Sequence, residues 1–186
     1  MMSNRYITSH FPLIAILLFS LAFALYSQVF LLEQLVNVGL YEGMREFFSE
    51  NGIKLTLLFL LMLFYFMIFS ALKLIADTTV ELSMLFFSKD VEGNELNKVR
   101  SGSWIYLIAS VLSILLSQEI IILCMIFILA SIVYFTYFVY KVSESLLLQG
   151  LIGLVFFHTI FWCTFILAII FAVVKLYNSL IASLPL

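Results

Sequence analysis

Long apolar segments separated by short charged ones form the dominant pattern of this chain. Five stretches contain no Asp, Glu, Lys or Arg: residues 6–32, 55–72, 101–118, 120–140 and 145–174. A helix needs roughly 17 to 25 apolar residues to cross the hydrocarbon core of a bilayer. Continuous apolar runs exclude a membrane barrel, whose strands alternate in polarity. The pattern therefore predicts an all-α, polytopic membrane protein with about five transmembrane helices.

Signals at the segment ends set the predicted spans. Pro12 is tolerated in a first helical turn, and Asn51-Gly52 is a turn signal before the second span. Residues 117–119 predict a tight connection between the third and fourth spans. We expect spans at about 12–32, 55–72, 103–117, 120–140 and 146–174, within a single membrane domain over residues 1–186. Because no Gly or Pro interrupts residues 71–87, the second helix should continue to about Phe87.

Two segments allow a second interpretation, and one loop has a pattern of its own. The apolar part of the third span is short, so a re-entrant hairpin over residues 103–117 is the alternative to a full crossing. Residues 5–24 imitate a cleaved secretion signal, but the apolar run continues to Leu32, so it is expected to remain as an anchor. In the loop between the first two spans, apolar and charged residues alternate in a way typical of a short interfacial helix. Its apolar residues are Tyr41, Met44, Phe47 and Phe48.

The composition supports the membrane class and excludes others. The mean hydropathy is +1.20, and only 11% of residues are charged, whereas a soluble domain keeps about a quarter of its residues charged. A net charge of −2 and a pI near 5.6 argue against nucleic acid as a partner. Cys124 and Cys163 both lie in predicted spans, where a free Cys usually behaves as a small hydrophobe. The expected environment is the lipid bilayer.

The distribution of Lys and Arg predicts the orientation, because short cytoplasmic loops carry an excess of them. With the amino terminus in the cytoplasm, five cations are cytoplasmic: Arg5, Lys89, Lys98, Arg100 and Lys141. Three are outside: Arg45, Lys54 and Lys175. Lys73 is counted separately as a membrane-edge residue and completes the nine. Five spans then place the carboxyl terminus outside the cell membrane.

Lys73, Asp77 and Glu81 recur every four residues and share one helical face at the cytoplasmic end of the second span. Charges near hydrocarbon are costly, so an ion or proton relay is one hypothesis. In the structural alternative, these residues form the solvated face of a helix that leaves the membrane, and Lys73 extends its amine to the interface. The residue order favours the structural alternative, because Lys before Asp is the poorer arrangement for such a pair.

A serine stripe and one histidine complete the candidate intramembrane polar residues. Ser110 and Ser113 lie on the face of the third span that also carries Ser103, Tyr106 and Ser117. Such a stripe lines a water-filled path or, more often, is a packing surface where small residues allow close helix approach. His158 is predicted near the bilayer midplane, where a neutral imidazole needs a hydrogen-bond partner. His158 is the best single candidate for a functional intramembrane residue, although donation to a serine on a neighbouring helix is the more frequent outcome for a lone His.

No motif indicates catalysis, a metal or a cofactor. The chain lacks GxSxG, Walker A, HExxH and GxGxxG sequences. His10 is predicted at the inner membrane edge and His158 at mid-depth, which disfavours a pair of haem ligands. Residues 90–101 depart from a calcium-binding loop, with Glu95 where its glycine belongs. We therefore predict no catalytic, cofactor-binding or metal-binding residues.

Four strings resemble a known family: FPLIAILLFS from Phe11, FSALKLIADT from Phe69, LFFSKDVEGNELNKVR from Leu85 and KLYNSLIASLPL at the end. They are similar to the YufK-like family of uncharacterised integral membrane proteins from Bacillus-type bacteria, over essentially the whole chain. The resemblance implies a bacterial plasma membrane. It implies no activity, cofactor or substrate, so no residue role is transferred.

These observations favour a non-enzymatic accessory or structural membrane protein that acts through helix–helix contacts, with a membrane-protein partner or as a homo-oligomer. The scarcity of ionisable groups within the spans supports it. The alternative is a small transporter or channel subunit, with the serine stripe, His158 and the charged face lining a route. An enzyme is not expected, since catalysis requires convergent titratable groups.

Overall fold

Six α-helices form the part of the chain that the structure describes. This computed structural model describes residues 5–88 and 99–183, with side chains from residue 10 onward. Lys89, Lys98 and most of the calcium-loop comparison fall on residues 89–98, outside the described residues. The helices are α1 (Arg5–Asn37), α2 (Leu40–Arg45), α3 (Glu50–Phe87), α4 (Ser103–Leu115), α5 (Ile120–Val142) and α6 (Leu148–Ser183), with a 3-10 turn (Arg100–Gly102) before α4.

Four of these helices, α1, α3, α5 and α6, are long and apolar enough to cross a membrane. The prediction of an all-α, polytopic membrane protein is confirmed. The helix α4 has 13 residues and rises about 20 Å, which is shorter than the ~30 Å hydrocarbon core. A full crossing by residues 103–117 therefore stays a prediction beside the re-entrant alternative.

Two predicted helix starts are wrong, and both helices begin earlier. The helix α1 begins at Arg5 and contains Pro12 in its interior, since membrane helices tolerate proline where neighbours satisfy the freed backbone groups. The helix α3 begins at Glu50 because the hydroxyl of Ser49 accepts a hydrogen bond from the Gly52 N–H at 3.1 Å. The Asn51-Gly52 pair thus lies in the first helical turn. The predicted extension of α3 to Phe87 is confirmed.

The loop between α1 and α3 contains the predicted short helix as α2, which has no buried residue. Gly39 precedes it with a φ of +77°, a left-handed conformation that glycine adopts without strain. The helix ends at Arg45, before Phe47 and Phe48, whose side chains are largely exposed. The amphipathic pattern therefore predicted the element but extended it too far.

The helix α1 organises the bundle and is the most buried of the four long helices. It packs most extensively against α3 and α4. The hydroxyls of Ser27 and Tyr65 are 2.6 Å apart, and the Gln28 amide donates to the Lys54 carbonyl at 2.7 Å. The ring centroids of Phe11 and Trp104 are 4.3 Å apart. Around these contacts α3 runs antiparallel to α1, and α4 runs parallel to it.

Two apolar clusters hold the helices together, one in the middle of α1 and one at the end of α3. The first contains Phe19, Ala22, Phe23, Phe69 and Leu123. The second contains Met84, Val99, Phe138, Val142 and Leu154. The second cluster joins the ends of α3 and α5 to the start of α6. These three helix ends therefore lie at the end of the bundle that carries Lys141.

The helix α6 leaves the bundle after its first turns. Its close contacts with α3 run from Gly150 to Phe157, and His158 packs against α5. Every residue from 166 to 183 is exposed. The carboxyl half of α6 is therefore largely uncovered by the described part of its own chain.

Candidate functional site

The structure places the six candidate polar residues at three separate positions. Lys73, Asp77 and Glu81 lie on α3, Ser110 and Ser113 on α4, and His158 on α6. The described residues do not bring these three sets into one hydrogen-bonded site. Each position is therefore considered by its own contacts.

His158 is enclosed by phenylalanine rings. The imidazole is 3% exposed, and its ring centroid lies 5.3 Å from that of Phe135, 5.5 Å from that of Phe138 and 5.9 Å from that of Phe157. Nδ1 lies 3.1 Å from the carbonyl oxygen of Leu154. Because a carbonyl only accepts, Nδ1 carries the proton in this contact. The predicted bond to a neighbouring helix is replaced by one within α6.

The second imidazole nitrogen of His158 has no partner among the described residues. Nε2 is buried and makes no hydrogen bond there. With the proton on Nδ1, a neutral ring presents a bare acceptor at Nε2. A buried acceptor without a donor costs about 1–3 kcal/mol. His158 is thus the most unusual polar residue of the described part, and a hydroxyl or N–H donor would satisfy it.

The contacts of His158 place it along α5. Phe135 and Phe138 precede Lys141 by six and three residues on α5, which corresponds to about 9 and 5 Å along the helix axis. His158 therefore packs against the half of α5 that ends at Lys141. Its position near the bilayer midplane stays a prediction.

Ser110 and Ser113 are fully buried and bond within their own helix. The Ser110 hydroxyl donates to the Leu107 carbonyl at 2.8 Å, and the Ser113 hydroxyl donates to the Ala109 carbonyl at 3.0 Å. The helix α4 packs against both α1 and α5. These serines therefore match a packing surface, where small side chains allow close approach. Two clefts of about 130 Å³ lie elsewhere, beside Phe87 and Gly150 and beside Leu35 and Phe48.

Lys73 and Asp77 form an ion pair on α3. Their side chains are 39% and 49% exposed, and Glu81 one turn further on is exposed as well. An exposed pair of this kind contributes little to stability. The exposure of these side chains agrees better with the solvated face of a helix than with an enclosed ion or proton relay.

Tyr106 and Tyr134 form a tyrosine cluster between α4 and α5. The Tyr106 hydroxyl donates to the Ser131 hydroxyl at 3.2 Å, and the rings of Tyr106 and Tyr134 are 5.4 Å apart. The signal was present in the sequence, because a tight turn at residues 117–119 makes α4 and α5 antiparallel and brings Tyr106 beside Ser131.

Comparison with known proteins assigns the family. The model of a family of unknown function, DUF5366, matches residues 28–185. The chain belongs to the DUF5366 family. A protein of Bacillus subtilis (strain 168), described as the uncharacterized membrane protein YufK, is 47% identical over 184 residues, which cover 99% of this chain and 100% of the relative. No solved structure matches.

The resemblance noted in the sequence is thus confirmed, and this DUF5366 protein is a multi-pass membrane protein. The family description supplies no activity. Any role for His158 or for the tyrosine cluster therefore rests on the geometry alone.

Proposed function

We propose that this DUF5366 protein is a non-enzymatic accessory or structural protein of the cell membrane that acts through helix–helix contacts. The observation that carries the proposal is the carboxyl half of α6. Its residues 166–183 are all exposed, and residues 166–174 belong to the span predicted at 146–174. A partner helix, from another membrane protein or a second copy, covers part of this segment.

The polar residues support a contact role over catalysis. The buried serines bond to their own helices, and no group of three His, Cys, Asp or Glu residues in the described part is close enough to hold a metal ion. Catalysis requires several converging titratable groups. His158 stands alone among phenylalanines.

Photo-crosslinking in native membranes tests this proposal. A photoreactive amino acid is placed in turn at each residue from Leu167 to Leu176, and adducts are separated by mass. We expect discrete protein adducts at positions that repeat every three or four residues, because a partner helix covers one face. Leu129 on α5 has a similar exposure to these residues and serves as the reference for random encounters. Adducts at no position, or equally at all, would contradict the proposal.

The alternative of a small transporter or channel subunit has one observation in its favour, the unpartnered Nε2 of His158. Membrane transporters use buried ionisable groups in proton relays. Ion and proton flux in reconstituted liposomes tests it. Flux that is lost in His158→Gln and retained in Thr159→Ala, whose hydroxyl bonds only to the Val155 carbonyl, would favour this alternative over an accessory role.

A further inference from the structure

Two cations lie at one end of the bundle on different elements. Arg100 is the first residue of the 3-10 turn before α4, and Lys141 lies in the last turn of α5. Both belong to the set predicted to be cytoplasmic. Arg100 is exposed and Lys141 is partly exposed. They are therefore open to a ligand that approaches along the membrane boundary.

Tyr137 holds these two cations on the same face. The hydroxyls of Tyr137 and Ser101 are 2.6 Å apart, which fixes the residue next to Arg100 against α5. The Lys141 ammonium lies 5.9 Å from the ring centroids of both Tyr137 and Tyr140. A β-carbon at Gly102 would lie 2.9 Å from the Tyr137 ring, so the turn and α5 are in close contact here.

Neither cation is used in an ion pair among the described residues. The three pairs there are Arg45 with Glu42, Lys54 with Glu50, and Lys73 with Asp77. Glu144 follows Lys141 by three residues, yet it forms no ion pair with it. Two positive charges at one end of the bundle, without an ion-pair partner among the described residues, favour an external anion.

Exposed aromatic residues surround the two cations. Trp104 is 48% exposed and lies one turn after Arg100, while Tyr140 is 65% exposed beside Lys141. Trp and Tyr are enriched where a membrane helix passes through the headgroup layer. The anion at this level of a membrane protein is the phosphate of a lipid headgroup.

We propose that Arg100 and Lys141 bind the phosphate of an anionic phospholipid, with Tyr137 as the positioning residue between them. A guanidinium matches phosphate oxygens through paired N–H donors, and an ammonium adds a point charge. Basic pockets at the cytoplasmic ends of membrane helices hold lipid headgroups in this way. This proposal is independent of the partner helix proposed for α6.

Fluorescence quenching by brominated lipids provides the test. The chain has two tryptophans, so Trp162→Phe leaves Trp104 as the reporter. The full-length variant is reconstituted in mixed phosphatidylcholine and phosphatidylglycerol vesicles, with bromine on the acyl chains of one lipid or the other. We expect stronger quenching by brominated phosphatidylglycerol. Arg100→Gln and Lys141→Gln should each lower the preference about fivefold, since a cation near the surface contributes about that factor.

Three controls keep the outcome decisive. Arg100→Lys retains the charge and should retain a preference, and Lys175→Gln removes an exposed cation on α6 and should leave it unchanged. Equal quenching by both lipids, or a preference that survives the double Arg100→Gln and Lys141→Gln substitution, would overturn the proposal. Loss of preference in inorganic phosphate, but not in chloride of equal ionic strength, would also overturn it and indicate a soluble phosphate ligand.

Discussion

The carbonyl oxygen of Phe87, the last residue of α3, lies 2.9 Å from the point where a β-carbon at Gly150 of α6 would stand. The same β-carbon position at Gly153 would lie 2.4 Å from an edge atom of the Phe87 ring. The start of α6 thus packs directly against the end of α3. The absence of side chains at these two positions allows that approach.

Substitution of Gly150 should loosen the docking of α6. Gly150→Leu must displace the α3 backbone, so we expect the free energy of unfolding to fall by about 1–3 kcal/mol, measured by thermal unfolding in a mild detergent. Gly153→Ala should cost less, because the ring of Phe87 can rotate away. Gly43→Leu is the control, since no atom lies within 4 Å of its β-carbon position. Equal losses of unfolding free energy in Gly150→Leu and Gly43→Leu would contradict this packing of α6 against α3.

Replacement of His158 by a shape-matched apolar residue should not destabilise the protein. His158→Phe removes a buried acceptor that no described residue satisfies, and such an acceptor costs about 1–3 kcal/mol. We expect an equal or higher unfolding temperature. His158→Ala should lower it, because a cavity forms among the three phenylalanine rings. A clear loss of stability in His158→Phe would mean that a bound water or another group already donates to Nε2.

The bond between Ser27 and Tyr65 should couple α1 to α3. A double-mutant cycle with Ser27→Ala and Tyr65→Phe should give a coupling energy of about 0.6 kcal/mol, the average for such bonds in membranes. Ser110→Ala is the comparison, because its hydroxyl bonds within α4. This comparison should show little change in unfolding free energy. The absence of coupling in the cycle would indicate that the 2.6 Å contact does not persist in the membrane.

Cysteine labelling should place the two ends of α5 in different compartments. The two native residues, Cys124 and Cys163, are free thiols, so alanine at both gives a cysteine-free background. We expect a cysteine at Glu119 to react with an impermeant reagent in intact cells, and one at Glu144 to react only after lysis. A cysteine at Ser183 tests the outward carboxyl terminus. Reaction of Glu119→Cys and Glu144→Cys from the same side would contradict a crossing by α5.

The candidate site was only partly predictable. Side-chain type and helical spacing, both of which are local, predict two of its features. These are the bond of the Ser110 hydroxyl to a carbonyl of its own helix and the exposed ion pair of Lys73 with Asp77. The phenylalanine rings around His158 could not be predicted from the sequence, because they depend on where α6 crosses α5. The tyrosine cluster was predictable in part, because the tight turn before α5 determines which residues of α4 and α5 face each other.

The sequence by itself determined the class of the protein, the family and most helix bounds, including the end of α3 at Phe87. Hydrocarbon requires each backbone group to bond within its segment, so apolar length directly predicts helices. Only the tertiary structure decided the packing of α1 against α3 and α4, the phenylalanine rings around His158 and the exposure of the carboxyl half of α6. Apolar residues facing lipid and those facing another helix have nearly the same free energy in a membrane. Hydrophobic pattern therefore carries little information about which helices meet.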